Sequence, residues 1–337
     1  MDNLFKIRVL TTAVNKMKAP AMVVYNRLFR PRENMQMTDR LAFDVISGSE
    51  RVLKNISVSA AATVTDKTGR KTVTLQAPRL ATKRHLAAAE MNGQRGYGDQ
   101  FQVMMMEKRI AIEQQDMKNE HDRTLEFWAC NALKGTIYDA DMSTELVSYN
   151  VADSHKPTLS GTDLWTNASS QPMNKIREWK RLIRQDSKAP ITGWLMFTGY
   201  EAQDALLQNT AVLNLLKYEK GRKIAEEEDV ARLAKTEIIE YDSDFLDDKD
   251  NRHYFIDPEY VMLIGLCDDL VDCPYAPVVD LEAPQGVGNI DAAGNTVMYF
   301  SKSWMEKDPS GRWIKLEGRP LPVLQRPGAV VYAKVVE

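Results

Sequence analysis

The sequence predicts an α+β fold laid out on an elongated plan, and three observations carry that reading. Residues 52–65 and 71–84 read as two long strands around a polar turn, Asp66-Lys67-Thr68-Gly69-Arg70. Residues 99–134 contain no Pro and no Gly and are rich in Met, Glu, Gln, Lys and Arg, all good helix formers. Strand-like segments stand at both ends of the chain, with helices between them. At 1.5 Å per residue the helix would be about 54 Å long, and each hairpin arm about 40 Å. A compact chain of 337 residues would have a diameter of about 52 Å. Each element is about as long as the whole globule would be wide, so the expected shape is not a ball.

Composition bounds the class. A hydrophobic share of 44% and a charged share of 27% support a sizeable core and argue against bulk disorder. A net charge of −3 argues against a general polyanion binder. Cys130, Cys267 and Cys273 lack metal-ligand spacing and fit free thiols in a reducing cytoplasm. Residues 1–20 carry charges throughout, so no signal peptide is expected. No apolar run approaches the ~18–20 residues of a membrane span.

The elements follow in order. Pro20 and Pro31 interrupt residues 1–35, which read as an extended arm with at most one short helix near 5–17. The arm is basic, with eight Lys/Arg against three acids over residues 1–40. Residues 40–47 look like a strand. The ribbon of 50–85 is basic too, with eight Lys/Arg against Glu50 and Asp66. Its outgoing strand alternates Ile56, Val58, Ala60, Ala62 and Val64, and its return strand Val73, Leu75 and Ala77. A two-stranded ribbon with so thin an apolar face is marginal in water. It needs a surface, either of its own globule or of a neighbouring subunit.

Residues 92–98 form a glycine-rich entry to the long helix, with Asp99 as N-cap. Val103, Met106, Ile110, Met117, Leu125, Trp128 and Ala132 make one narrow apolar stripe. Between 113 and 124 only Met117 is apolar, so the helix is expected to lie along a surface with a solvated charged face. Gly135 ends it. A hairpin at 136–151, a polar loop at 152–171, an amphipathic helix at 172–187, a strand at 191–198 and a short helix at 200–208 come next. Residues 219–250 are acidic, with twelve Asp/Glu against six Lys/Arg. Strands at 252–256 and 260–266 precede a loop or ribbon at 267–295. Segments at 296–305, 311–317 and 328–336 close the chain, the last expected to return to the subdomain of the long helix.

A search for chemistry assigns no catalytic, metal or cofactor residue. His85, His121, His155 and His253 are scattered. His121 has Glu113, Asp116 and Glu120 nearby, but Glu120 and His121 are adjacent and point about 100° apart. A solvated charged face is the reading there. Asp242, Asp244, Asp247, Asp248 and Asp250 look like a calcium loop, yet Asp247 stands where Gly is required and His253 where Glu is. A polar turn before a strand fits better. Gly93, Gly96 and Gly98 miss the dinucleotide spacing, and no Gly-x-Ser-x-Gly elbow occurs.

Several short motifs carry a family resemblance. They are Phe5 to Pro20 with Leu28-Phe29 and Thr38, then Thr74 to Pro78, Arg95-Gly96, and Glu126 with Ala132-Leu133-x-Gly135. Near the C-terminus come Ser301-Lys302-Ser303-Trp304 with Asp308-Pro309, Pro320-Leu321-Pro322 and Pro327-Gly328-Ala329-Val330. In this order and spacing the chain resembles the lambda-like bacteriophage major capsid protein E family, which has the Hong Kong 97 fold. The resemblance implies an N-terminal arm (1–35), a peripheral-domain strand (36–49), an extended β-hairpin loop (50–85) and a peripheral domain (86–171) with a long spine helix (99–134). It further implies an axial domain (172–290) and return strands to the peripheral domain (291–337), with Trp304 and Trp313 as core residues of the return sheet. The implied function is the major capsid protein of a tailed double-stranded DNA phage or prophage, self-assembling into pentamers and hexamers of an icosahedral shell in the virion. The implied partners are further copies of itself, a scaffolding protein, a portal, a decoration protein and packaged DNA bound without sequence specificity. Assembly in the host bacterial cytoplasm is implied, with no membrane, no cofactor and no enzymatic activity. An encapsulin-like nanocompartment is the alternative within the fold; a soluble enzyme or ligand-binding protein is the alternative outside it.

Charge is unevenly spread: residues 50–85 carry +6, residues 99–134 carry −2 and residues 219–250 carry −6. Lys67, Arg70 and Lys71 at the loop tip, with Arg79, Lys83 and Arg84 on the return strand, are therefore expected to dock on acidic surface of an adjacent subunit.

Overall fold

The computed structural model describes residues 7–17, 22–29, 40–47, 69–87, 106–214, 232–233, 235–283, 287–308 and 310–337. Helices α1 (Ile7–Lys16) and α2 (Val23–Leu28) precede β1 (Arg40–Ser47), β2 (Gly69–Gln76), β3 (Leu80–Ala87) and the long helix α3 (Met106–Lys134). Then come β4 (Thr136–Tyr138), β5 (Glu145–Ser148), α4 (Pro172–Ser187), β6 (Gly193–Thr198) and α5 (Tyr200–Gln208). Short strands β7 (Arg232–Leu233), β8 (Thr236–Glu240), β9 (Asp244–Leu246) and β10 (Arg252–Tyr254) lead to β11 (Tyr260–Leu266) and β12 (Val271–Asp272). The last strands are β13 (Tyr299–Glu306), β14 (Gly311–Gly318), β15 (Val323–Leu324) and β16 (Val330–Lys334). The chain forms two compact units, one from residues 1–42, 74–129 and 272–323, the other from 43–73, 130–271 and 324–337.

The first unit is built on an antiparallel sheet of order β13-β14-β3. Side chains alternate across a sheet with period two. Leu86, Ile314 and Leu316 therefore share the face that packs on α1 and α3, where they join Leu10, Val14, Ile110 and Met117. Burying each such side chain stabilises by about 1.5–3 kcal/mol. The same alternation sends Trp304 and Trp313 to the opposite face, and both are half-buried. They pair across the strands and stack with ring centroids 6.3 Å apart. Their expected place in the core is thus corrected by register: Ile314 points inward, so its neighbour Trp313 cannot.

The ribbon also differs from its expected form. The outgoing strand at 52–65 lies outside the described residues. The return strand at 71–84 is two strands: β2 pairs with β1, and β3 joins β14. The break falls at residues 77–79 because Pro78 has no N–H to give a ladder. The Ala77 carbonyl accepts the Arg319 guanidinium at 3.0 Å instead of a strand partner.

The second unit holds a sheet of order β16-β11-β6-β8-β7, antiparallel except for the parallel pair β6–β8. Central strand β11 buries Val261, Met262, Leu263 and Ile264 in succession, as a strand covered on both faces must. Ile176, Trp179 and Ile183 of α4, with Ala202, Ala205 and Leu206 of α5, complete this core. The closing strand β16 belongs here, pairing Val331 with Leu263, rather than to the unit that contains most of α3. Val330, Val331 and Ala333 are all buried, so the strand goes where two apolar faces can be covered. The acidic stretch contributes β9, which pairs with the following strand β10 through a turn in which the Asp247 carboxylate accepts the N–H groups of Lys249 and Asn251 at 2.9 and 2.8 Å. That is the polar turn expected there. Gly135 ends α3 at φ +103°, where a side chain would meet Val151.

Candidate functional site

Among the described residues no group of three or more His, Cys, Asp or Glu could hold a metal ion, and no helix is long and apolar enough to cross a membrane. The chemistry with most structural consequence lies in the middle of α3. A solvated face is expected there from the sequence. Asp116, Glu120 and Arg123 are exposed as expected, but Glu113, Gln114, Lys118, His121, Asp122 and Glu126 are buried, each held by a partner from another element. Buried polar groups cost about 1–3 kcal/mol each when unpaired, so this seam specifies which elements can pack on the helix.

Gln114 Nε2 donates to Ser301 Oγ at 2.9 Å, and His121 Nε2 lies 3.1 Å from Thr82 Oγ1, fixing the sheet over the helix. The Tyr299 hydroxyl donates to Asp122 Oδ1 at 2.7 Å, and Lys118 Nζ donates to the Met17 carbonyl just after α1. The Glu126 carboxylate accepts Val24 N–H at 2.8 Å and Tyr25 N–H at 2.9 Å. Helix α2 has no side-chain cap of its own, so Glu126 supplies from a distance what an N-cap supplies locally. This explains why the arm contains a second helix that its own six residues did not announce.

Burial sets the protonation of the seam. It lowers the His121 imidazole to about 4, the charge of Glu317 opposing. It raises the Asp122 carboxyl, with the Tyr299 hydroxyl and Lys118 opposing, and lowers the Lys118 ammonium, with Asp122 opposing. A base whose folded value lies below its unfolded one contributes stability fully above the unfolded value, here about 6.5. That contribution disappears as pH falls towards 4. For His121 it amounts to roughly 3 kcal/mol. Asp122 acts with the opposite sign, gaining as pH falls. Wild-type melting temperature should therefore drop between pH 6.5 and 4 more steeply than that of His121→Gln, measured by differential scanning fluorimetry. Parallel curves would refute the assignment to His121.

The six cations expected to dock are not alike. Lys67 lies outside the described residues, and of Arg70 and Lys71 only the strand backbone is described. Lys83 is exposed, its ammonium 4.8 Å above the Trp313 ring. Arg84 shares the helix-facing side of β3 with Thr82 and Leu86, and reaches Glu113 at 2.6 Å and Glu120 at 2.5 Å. Arg79 makes a two-pronged pair with Glu317 at 2.6 and 3.0 Å. Arg79 and Arg84 thus bind carboxylates of their own chain.

The fold recurs in phage shells. A crystal structure of a phage-related protein from Bordetella bronchiseptica RB50 matches over 97% of this chain and 96% of its own, with TM-score 0.55 and 12% identity. A putative capsid protein of a prophage of Escherichia coli CFT073 matches over 98% and 94%, with TM-score 0.55 and 17% identity. The mature capsid of bacteriophage PhiM1 matches over 89% and 83%, with TM-score 0.55 and 9% identity. The fold is accordingly the α+β fold of Hong Kong 97-type capsid proteins. The phage major capsid protein E family matches residues 6–335, and the chain belongs to that family. It is a structural subunit of a phage or prophage shell, located in the virion, and not an enzyme. No match was found among curated proteins.

Proposed function

We propose that copies of this chain close as pentamers and hexamers into an icosahedral shell around double-stranded DNA, assembling in the bacterial cytoplasm. The observation that carries the reading is the match of residues 6–335 to a major capsid family. The net charge of −3 suits a wall that encloses DNA without gripping it. A scaffolding protein, a portal and a decoration protein are the partners that the family resemblance supports. The ribbon of 50–85 supplies the contact between subunits through Lys67, Arg70 and Lys71, with Lys83 beside Trp313 and the exposed side of Arg79. Exposed ion pairs contribute about 0–1 kcal/mol each. Charge therefore sets register, while buried area repeated over many copies sets affinity.

Negative-stain microscopy and light scattering of the purified full chain test the reading. Shells, capsomers or large assemblies are the expected result. A monodisperse monomer at every concentration, with or without scaffold, would overturn it.

A further inference from the structure

Strand β13 is the edge of the sheet β13-β14-β3. On an antiparallel edge strand, the N–H and C=O of alternate residues point away from the paired neighbour. In β13 those of Tyr299 and Ser301 meet helix α1 instead of another strand. Thr11 Oγ1 donates to the Ser301 carbonyl and accepts the Ser301 N–H, both at 3.2 Å. One turn on, Asn15 Nδ2 donates to the Tyr299 carbonyl at 2.8 Å, while its Oδ1 accepts the Tyr299 N–H at 3.3 Å. The spacings agree for a physical reason. Four helical residues rise about 6 Å, and two strand residues about 6.8 Å. Thr11 and Asn15 thus offer the same donor–acceptor pairs as alternate residues of a fourth strand. Leu10 and Val14, both buried, hold the helix in place from its apolar side.

An uncovered edge of this kind templates pairing with another chain. We propose that α1 is an edge guard, and that the edge it covers accepts an extended strand, namely β13 of a second copy. Two identical edges related by a two-fold axis run antiparallel and are self-complementary. Pairing through them would join two three-stranded sheets into one of six strands. Met305, 69% exposed, marks the end of β13 beyond the two guarded residues. The guard concerns pairing that bypasses the arm, so its failure would leave the shell reading untouched.

Native-state hydrogen exchange on the wild-type chain is the first test. The amides of Tyr299 and Ser301 should exchange through the same opening as those of α1, and separately from Phe300 and Lys302, which pair with β14. Exchange of all four together, after α1 has opened, would overturn the proposal. The second test is Thr11→Val with Asn15→Leu, which keeps size and the Leu10 and Val14 anchors. Exchange at Tyr299 and Ser301 should rise about tenfold or more, and association should become concentration-dependent under conditions where the wild type is unassembled. Adding Met305→Lys, a charge on the open edge, should suppress that association. A double variant that associates no more than wild type, or whose association ignores Met305→Lys, would also overturn it. Should the double variant fail to fold, Thr11→Val alone, which frees the Ser301 N–H and C=O, carries the same exchange and association measurements and decides.

Discussion

Glu126→Ala is expected to destabilise the first unit by about 3–5 kcal/mol. Glu126 is 1% exposed, and its two oxygens accept the Val24 and Tyr25 N–H groups in the first turn of α2 at 2.8 and 2.9 Å. Bonds to a charged acceptor contribute about 1.5–3 kcal/mol each. Truncation removes both and leaves two donors facing a cavity that water enters poorly. Helix α2 spans six residues and has no other side-chain cap, and a helix that short does not persist without tertiary support. Its buried Val24 and Tyr25 should be released with it. Glu126→Gln retains one good acceptor without charge and should lose about half as much. Urea unfolding followed by tryptophan fluorescence would measure the series. A loss below about 1 kcal/mol for the alanine variant would show that Glu126 does not hold α2.

The second large effect concerns assembly. Changing Lys67, Arg70 and Lys71 together to Glu reverses the local charge of this segment and should abolish shells while leaving monomer folding intact. The comparison that gives the experiment its force is Arg84→Glu. Arg84 binds Glu113 and Glu120 and lies 3.7 Å from Asp116. A fourth carboxylate there would repel the other three, one of them buried, and should cost folding before it costs assembly. Near-UV circular dichroism reports folding and electron microscopy reports shells. Normal shells from the triple variant would end the docking proposal. Folded, assembling Arg84→Glu would instead show that its pairs matter little.

Much of the fold is legible in the amino-acid sequence. The α3 interior, its end at Gly135, the helices at 172–187 and 200–208, and the strand at 260–266 follow from periodicity and breakers, which act locally. The buried seam has a signal too, one that solvation logic sets aside. Gln114 and His121 fill the gaps of the stripe Ile110, Met117, Leu125 and Trp128 at helical spacing, so the face is continuous even though its chemistry is not. A polar residue on an apolar stripe is either an exposed interruption or a satisfied buried group. Only the partner decides, and Ser301 and Thr82 are 187 and 39 residues away.

The sequence by itself determined that this is an α+β chain with a long helix and a basic segment at residues 50–85, and its motifs sufficed to suggest the family. Those properties reside in runs of neighbours, where backbone propensity and side-chain period are read directly. Tertiary structure alone decided that Arg84 turns inward while Lys83 turns outward, that the tryptophans stack outside the core, that β16 joins the second unit, and that Thr11 and Asn15 complete a sheet edge. Each of these depends on register between distant segments. A shift of one residue exchanges the two faces of a strand, and nothing local to either segment records which register the other has taken.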